Sequence, residues 1–434
     1  MKKILLLAIS CISLLSLAAC GSADKDSSSK QDGKTTIDFA IHVANPADQE
    51  PAFNAVVEAF KKDNPDIVIN LEGKEQSEHV KNIKMKSQSN KLPDIFWMLP
   101  ASAKELDDAG ALADLSGFLK SNQNIVDAFK GRENMIDAFK NGDKQYGMPY
   151  QPLVTGFYYN KKILADNSLK EPETFVDLMN VVKVLDKNGI VPISKGAKDN
   201  YSVWAFLIML SRYGYFDKIN AILDGKEEYV NEDFIHYYEK IDELRKAGAF
   251  PKNVSTQSYF QAVEQFTTGK AAMLDSGSWD AQKIEGSEIG KDVGFWWGPT
   301  FNDGVGNQKL SSIVPSAPLV VSKVAYEDKD KKEAIDKFLK FYYGKEGIQI
   351  MVDNQIPPMT NTEVDVDVNK NPVFADIIKQ MSDKEWTSQE NQPDLVVSES
   401  IGNAMYDSIY GVIVGTYTPE QAAQVVQDRI SDTN

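Results

Sequence analysis

Strands and helices alternate along most of this chain, and this alternation is the sequence feature that most constrains its fold. Apolar residues occupy every second position over 35–43, which predicts a strand. Over 51–62 they recur at positions i, i+3, i+4 and i+7, which predicts an amphipathic helix. Two short apolar segments, 67–71 and 94–98, predict further strands. The pattern therefore predicts an α/β protein with a mostly parallel sheet and helices on its faces.

Capping residues predict where several later helices begin and end. Thr174, with Asp177 three residues on, has the spacing of a capping box and predicts a helix over 175–185. Gly344 is expected at the C′ position of a helix over 331–343. We interpret the apolar stripes of these helices as core-packing faces.

The first twenty residues have the pattern of a secretory signal. Lys2 and Lys3 precede an apolar run that ends at Ala19, which is short for a membrane span of about 20 residues. Cleavage after this run would remove Cys11 and leave Cys20 as the only cysteine of the mature chain, so no internal disulfide can form.

The end of this signal, Leu17-Ala18-Ala19-Cys20, is similar to the lipobox of bacterial lipoproteins. The resemblance implies that residues 1–19 are a lipoprotein signal peptide and that Cys20 carries lipid, including palmitate. Plain secretion with an accidental cysteine is the alternative. Residues 20–34 contain no large apolar side chain after Cys20, so we predict a flexible tether.

The charge of the chain excludes two classes of partner. With 47 basic and 63 acidic residues, the net charge is −16. A basic stripe that could neutralise phosphates is not expected, and this argues against nucleic acid and against anionic lipid surfaces as partners.

Eight segments resemble, in order, the signatures of one family. They are Phe60 to Asn70, Pro93 to Ile95, Tyr146 to Tyr150, Tyr158 to Lys161, Pro172 to Leu178, Gly189 to Ile193, Phe266 to Trp279 and Gly415 to Ala423. The order and spacing are similar to those of family 1 of the bacterial extracellular solute-binding proteins, which serve carbohydrate importers of the ATP-binding-cassette (ABC) type and have a maltose-binding-protein-like architecture.

This resemblance implies a two-lobed, periplasmic-binding-protein-like fold with three interlobe crossings and a ligand cleft between the lobes. We expect the crossings near 148–151, 296–299 and 357–367. The lobes are then expected to comprise residues 35–148 with 299–362 (lobe I) and residues 149–298 with 363–434 (lobe II). The resemblance further implies that the lobes close on the ligand by a hinge.

Aromatic side chains are the first candidates for the cleft, because the C–H face of a sugar packs on aromatic rings. Trp279 lies in a Gly/Ser turn where the family commonly places a stacking aromatic. Trp204 and Trp97 are further candidates, the latter because it ends a predicted strand. Of the adjacent Trp296 and Trp297, one is expected to face the ligand and the other to lie in the core.

Polar candidates are chosen because amides and carboxylates can bind sugar hydroxyls in pairs. Tyr150 and Gln151 lie at the first expected crossing, and Gln76 and His42 follow strands where relatives contact ligand. A structural role for His42 is equally open. Three polar partners complete the set, namely Asp280, Asn200 and Asp275.

The sequence predicts a binding protein and not an enzyme. It contains no H-E-x-x-H, no G-x-S-x-G and no phosphate-binding P-loop motif. A secreted glycoside-active enzyme with a spatially paired set of carboxylates stays an alternative, as does a structural adhesin. Residues 365–376 have the spacing of a calcium loop, but Lys370 replaces its glycine, so neither a metal nor another cofactor is expected.

We therefore predict a monomeric, lipid-anchored receptor on the extracellular face of the cell membrane. Its ligand is expected to be an oligosaccharide, or alternatively another neutral small solute. Two ABC permease subunits, and through them an ATPase, are the expected partners. Residues 99–102 carry no charge where maltose-binding protein has an acidic–basic pair, so we do not expect maltodextrin to be bound through the same contacts.

Overall fold

The structure is a computed structural model that describes residues 30–31, 33–198 and 202–433. Within these residues lie fourteen strands and twenty α-helices. The strands are β1 (Lys30–Gln31), β2 (Lys34–Ile41), β3 (Ile67–Gly73), β4 (Ile95–Trp97), β5 (Lys140–Asn141), β6 (Lys144–Gln145), β7 (Gly147–Pro149), β8 (Pro152–Asn160), β9 (Val191–Ser194), β10 (Ala271–Gly277), β11 (Val293–Trp296), β12 (Leu310–Pro315), β13 (Pro318–Val321) and β14 (Thr387–Ser388).

The helices surround the strands and occupy most of the remaining chain. They are α1 (Pro46–Gln49), α2 (Pro51–Asp63), α3 (Gln76–Gln88), α4 (Pro100–Asp108), α5 (Ser116–Ser121), α6 (Gln123–Ala128), α7 (Asn134–Asp137), α8 (Lys161–Asp166), α9 (Phe175–Lys187), α10 (Trp204–Arg212), α11 (Tyr215–Leu223), α12 (Glu232–Lys246), α13 (Tyr259–Thr267), α14 (Ala281–Glu285), α15 (Lys323–Glu327), α16 (Lys329–Tyr342), α17 (Lys345–Asp353), α18 (Pro372–Met381), α19 (Glu399–Val414) and α20 (Pro419–Thr433). Short 3-10 helices cover Ser278–Asp280, Gly290–Asp292 and Pro393–Leu395. None of the helices in the described ranges combines the length and the apolar character that a membrane crossing requires.

The elements predicted from the sequence are present, with small differences at their ends. The capping box of α9 is formed as predicted, since Thr174 Oγ1 accepts from the Asp177 N–H at 3.2 Å and Asp177 Oδ2 accepts from the Thr174 N–H at 3.0 Å. Gly344 follows the C-cap Tyr343 of α16 and so occupies the predicted C′ position, with a φ of −78° that is not left-handed. It is the N-cap of α17, so α16 and α17 follow each other almost directly.

Two six-stranded sheets organise the molecule, each covered by helices. The first has the order β1-β2-β4-β13-β7, with β3 also paired to β2. The second has the order β14-β12-β8-β10-β9, with β11 also paired to β8. The prediction of a mostly parallel sheet is corrected to two mixed sheets, because β13 pairs antiparallel with β4 and β7, and β8 pairs antiparallel with β10, β11 and β12.

Two extended segments pass side by side from the first sheet to the second. Tyr150 and Gln151 connect β7 to β8, while Ser316 and Ala317 connect β12 to β13. The Tyr150 N–H donates to the Ala317 carbonyl at 3.1 Å, and the Ser316 N–H donates to the Gln151 carbonyl at 3.1 Å. The antiparallel ladder is therefore continuous between the sheets.

Prolines bracket both of these connections. In the ladder register, Pro149 lies opposite Pro318 and Pro152 lies opposite Pro315. A proline ring holds its own φ near −65° and restricts the residue before it. Backbone rotation between the sheets is therefore concentrated in the two residues between each pair of prolines.

Residues 299–315 lie with the second sheet, which differs from the expected crossing at 296–299. The buried Arg212 donates to the carbonyl oxygens of Trp297 at 2.9 Å, Pro299 at 2.7 Å and Leu310 at 2.8 Å. Phe301 also packs into the core of this sheet. Gly298 and Pro299, within the expected crossing, thus belong to a loop that is held by the Arg212 guanidinium. The chain passes to the first sheet only after β12.

Candidate functional site

A histidine–tryptophan stack lies at the carboxyl edge of the first sheet. His42 follows β2 and Trp97 ends β4, and these two strands are parallel neighbours whose ends meet at the same edge. The two rings stack with centroids 4.0 Å apart and planes 15° from parallel. Trp97 is only 5% exposed, so His42 presents this wall of the site to solvent in its place.

Both histidines at this edge are uncharged at neutral pH. Burial, with a smaller contribution from the nearby His79, lowers the pKa of His42 to about 4. Burial also lowers the pKa of His79, whose Nε2 donates to the carbonyl oxygen of Trp97 at 2.7 Å. A neutral imidazole can both donate and accept a hydrogen bond, as a sugar hydroxyl can.

Glu50 and Gln151 extend this wall toward the crossing strands. Gln151 Nε2 donates to Glu50 Oε2 at 3.2 Å, and Glu50 Oε1 lies 3.8 Å from His42 Nε2. Burial raises the pKa of Glu50, although its hydrogen bonds oppose the shift. Tyr150 is almost fully buried in the first core, edge-on to His42. The structure thus brings His42, Trp97 and Gln151 together, with Tyr150 behind them.

An aromatic cluster lies on the side of the second sheet and includes Trp279, the most exposed of the predicted tryptophans. Trp204 begins α10, Tyr259 begins α13 and Trp279 lies in the 3-10 turn after β10. The ring centroid of Trp204 is 4.7 Å from that of Trp279 and 5.3 Å from that of Tyr259. Trp279 is 38% exposed, so part of its indole is available for stacking.

Hydrogen bonds hold the Trp279 indole in one orientation. Its Nε1 donates to Tyr259 Oη at 2.8 Å, and Tyr259 in turn donates to Asp280. Ser276 Oγ also donates to Asp280, at 2.6 Å. The ring folds back over Gly277, where an added Cβ would come within 2.2 Å of it. Asp280 therefore positions the aromatic cluster, and burial raises its pKa.

Asp275 was predicted from the sequence as a polar ligand partner, but the structure places it in the interior as one member of an ion pair. It pairs with Lys195 at 2.6 Å, and both side chains are almost completely buried. Its Oδ1 accepts from the Ala205 N–H at 2.9 Å, in the first turn of α10. Burial raises the pKa of Asp275, and the Lys195 ammonium opposes that shift. The pair fixes the start of α10 and with it the position of Trp204.

Trp296 and Trp297 both lie in the core, which corrects the expectation that one of them faces the ligand. They are adjacent at the end of β11 and belong to two different hydrophobic cores. Trp297 is fully buried and packs edge-on against Phe295 at 5.2 Å. Trp386 lies beside Lys309, whose Nζ is 4.7 Å from the ring centroid, and serves local packing.

A cavity of about 290 Å³ opens between the part of the molecule built on the first sheet and the part built on the second. Gln76 and the segment 99–102 contribute its first wall, and the segment 394–406 contributes its second. Gln76 is a predicted site residue, whereas Asp394, Glu399, Asn403 and Tyr406 were missed. Their positions before and along α19 could be predicted from sequence, but no motif indicates that this helix faces the cleft. We call this space the α19 cavity.

Some predictions concern residues that the structure does not describe. Asn200, Cys20 and the segment 1–29 lie outside the described residues. Among the described residues, no group of three His, Cys, Asp or Glu side chains could hold a metal ion. In the calcium-like segment, Asp367 Oδ1 instead accepts the N–H groups of Asn369 at 3.0 Å and Lys370 at 3.2 Å.

Comparison with known proteins identifies a family and a fold. A sequence model described as "Bacterial extracellular solute-binding protein" matches residues 44–349. A multiple sugar-binding protein of Streptococcus mutans is 24% identical over 384 residues, which is 85% of this chain and 84% of that protein. A galactooligosaccharide-binding protein of Bacillus subtilis is 22% identical, over 63% of each chain.

Solved structures share the whole two-lobed α/β fold. A chitin oligosaccharide binding protein has a TM-score of 0.75 and 22% identity, covering 92% of this chain and 98% of its own. A probable secreted solute-binding lipoprotein from Streptomyces coelicolor has a TM-score of 0.76 and 17% identity, covering 91% and 98%. The predicted two-lobed fold is thereby confirmed.

The burial of His42 predicts a pH dependence of stability. Its folded pKa of about 4 lies below the unfolded value of 6.5, so the unfolded state binds more protons between these values. The stabilisation is present above pH 6.5 and is lost as the pH falls toward 4, by on the order of 3 kcal/mol. The substitution His42→Phe keeps a ring over Trp97 and removes the titration. Urea unfolding between pH 4.5 and 8 should therefore show a shallower pH dependence for the variant, and parallel curves would contradict this assignment.

Proposed function

The chain belongs to the bacterial extracellular solute-binding protein family, and from this premise we propose that it is the oligosaccharide receptor of an ABC importer. It binds its ligand between the two lobes and makes or breaks no covalent bond. The single observation that carries this proposal is the cluster of Trp204, Tyr259 and Trp279, which presents a half-exposed indole held by hydrogen bonds.

The chemistry of this cluster suits a sugar better than an ion or a peptide. An aromatic face packs against the C–H groups of a pyranose, and a fixed ring loses little conformational entropy on binding. The names of two relatives, a multiple sugar-binding protein and a galactooligosaccharide-binding protein, support the same ligand class.

The opposite wall offers uncharged hydrogen-bonding groups. The neutral His42 and the amides of Gln76 and Gln151 can each donate and accept, as paired sugar hydroxyls require. Glu50 supplies an acceptor next to them. A ligand held between the two walls would touch both lobes, which is the condition under which it favours their closure.

We propose that closure bends the proline-bracketed crossings. One lobe then comprises residues 33–149 with 318–361, and the other comprises residues 152–315 with 372–433. Arg132 donates to the Pro358 carbonyl and the Asn361 N–H donates to the Ala128 carbonyl at 2.7 Å, so these bonds support placing the third crossing after Asn361. Two tyrosines hold the first crossing on the side of the first lobe. The Tyr342 hydroxyl donates to the Tyr150 carbonyl at 2.7 Å, and the Tyr343 hydroxyl donates to the Pro149 carbonyl at 2.8 Å.

Anchoring and delivery complete the proposal. Cys20 within Leu17-Ala18-Ala19-Cys20 would carry the lipid. The tether to the extracellular face of the membrane would comprise residues 21–29, which is shorter than the predicted segment because Lys30 and Gln31 pair with β2. The monomeric, closed receptor would then dock on two permease subunits, which an ATPase drives.

A ligand screen tests the sugar assignment on soluble protein beginning at Gly21. Mono- to tetrasaccharides are tested by thermal shift, because a ligand at about 100 times its Kd stabilises by about 2.7 kcal/mol. The variant Trp279→Ala should bind at least about tenfold more weakly in a fluorescence titration, since the stacking face is lost. Trp386→Ala, outside the cleft, is the matched control and should keep its affinity within about twofold. If no saccharide raises the melting temperature and amino acids or peptides do, the sugar assignment is overturned. Formation of a hydrolysis product from a saccharide would favour a glycoside-active enzyme.

Closure can be followed with spin labels, because protein beginning at Gly21 has no cysteine. Labels at Glu105→Cys on α4 and Asp407→Cys on α19 lie on exposed positions of different lobes. Their separation should shorten when a saccharide binds. A control pair within the second lobe, Glu227→Cys with Asp407→Cys, should keep its distance. An unchanged interlobe distance at saturating ligand would contradict the hinge.

Lipid anchoring is tested by comparing serine substitutions at the two cysteines of the sequence. Cys20→Ser should release the protein into the medium and abolish incorporation of labelled palmitate, because the acceptor thiol is lost. Cys11→Ser, within the signal segment, should leave both unchanged. Membrane retention of the Cys20→Ser protein would contradict the lipoprotein assignment.

A further inference from the structure

The α19 cavity combines hydrogen-bonding groups from both lobes. Gln76 and the segment 99–102 face Glu399, Asn403 and Tyr406 across it. Its volume of about 290 Å³ is near the lower end of what small-ligand pockets have, so it can accommodate one sugar unit. It lies apart from the aromatic cluster, because none of Trp204, Tyr259 and Trp279 lines it.

The hydrogen-bond polarity of this cavity is set by a tyrosine–carboxylate pair. Tyr406 donates its hydroxyl hydrogen to Asp394 Oδ2. The Tyr406 oxygen can then only accept, so a group bound there must donate. Asp394 Oδ1 is buried without a partner and is not accessible to a ligand. Asn403 and Gln76 can donate or accept, which suits hydroxyl groups.

The lining of the cavity carries negative charge and no cationic side chain. Asp394 and Glu399 are its only ionisable residues besides Tyr406, and none of its lining residues is a lysine, arginine or histidine. Burial raises the pKa of Asp394 to about 6, which leaves it mostly ionised at pH 7.5. A negatively charged group of a ligand would be repelled by these two carboxylates, because water screens charges poorly in a partly closed site.

We propose that the α19 cavity is a subsite for an uncharged, hydroxyl-bearing sugar unit and that it excludes sugar acids. Tyr406 accepts from a ligand hydroxyl, while Asp394 positions Tyr406 and adds the repelling charge. Glu399 supplies both a further acceptor and repulsion. This inference rests on the proposed oligosaccharide function and adds to it a selection by charge.

The test compares neutral and acidic ligands of matched length. The probes are oligosaccharides of two to four galactose or glucose units, and oligogalacturonates or oligoglucuronates of the same lengths. Titration calorimetry at pH 7.5 should show the acids binding at least about 30-fold more weakly than the best neutral probe. Glu399→Gln should narrow this ratio by at least about threefold, because one repelling charge is removed.

Two further variants separate charge from structure. Tyr406→Phe should weaken the neutral probe by about tenfold, since the accepting oxygen is lost. Glu420→Gln is the matched control, because Glu420 also lies in the first turn of a second-lobe helix but does not line the cavity. Its affinities and its acid-to-neutral ratio should equal those of the unmodified protein, and circular dichroism verifies that each variant is folded.

The outcomes distinguish this inference from the proposed function. Neutral binding that is lost in Trp279→Ala but unchanged in Tyr406→Phe and Glu399→Gln would overturn the subsite and leave the receptor function intact. Acids that bind as tightly as the neutral probes would overturn the charge selection. If no saccharide binds at all, the receptor function fails and the subsite fails with it.

Discussion

The continuous antiparallel ladder between the two sheets is the constraint on which the rest of the structure depends. It joins both lobes through adjacent strands, so neither sheet is complete without residues that come from the other side of a crossing. The mutual bonds of Tyr150 with Ala317 and of Ser316 with Gln151 keep the two crossings in register. Prolines on both sides stiffen the strands and leave short segments between them. The hydrogen-bonded ladder and its prolines therefore both hold the lobes together and limit where the chain can bend between them.

Buried charges on Lys195, Asp275 and Arg212 stabilise the second wall of the site. Lys195 and Asp275 neutralise each other inside the second lobe, where the pair fixes the start of α10. Arg212 has no carboxylate partner among the contacts of the described residues; its two terminal nitrogens donate to three carbonyl oxygens, while its buried Nε has no hydrogen-bond partner there. Removing either Lys195 or Asp275 would leave the other charge buried and unpaired, which costs about 3–5 kcal/mol. These buried charges thus hold the scaffold in place, whereas neutral histidines, amides and aromatic rings face the cleft beside the carboxyl groups of Glu50, Asp394 and Glu399.

The two walls differ in how they present aromatic surface. On the first wall the indole of Trp97 is covered by His42, so the accessible group is an imidazole. On the second wall Trp279 stays partly exposed because Tyr259 and Asp280 hold its indole nitrogen. A ligand with one apolar face and one hydroxyl-rich edge complements both walls. The arrangement of these two walls supports the proposed capture of a sugar.

The sequence by itself determined the local elements, because a capping box such as Thr174 with Asp177 and an apolar period depend only on neighbouring residues. It also indicated Trp97, since the end of a predicted strand marks the ligand edge of an α/β sheet. Tertiary structure alone decided the fates of Trp297 and Asp275, which resemble site residues in sequence but are buried by chain segments far away along it. It also decided that Tyr406 faces the cleft. Burial and pairing depend on which elements pack against each side chain, and that information is spread over the whole chain and not held in any local pattern.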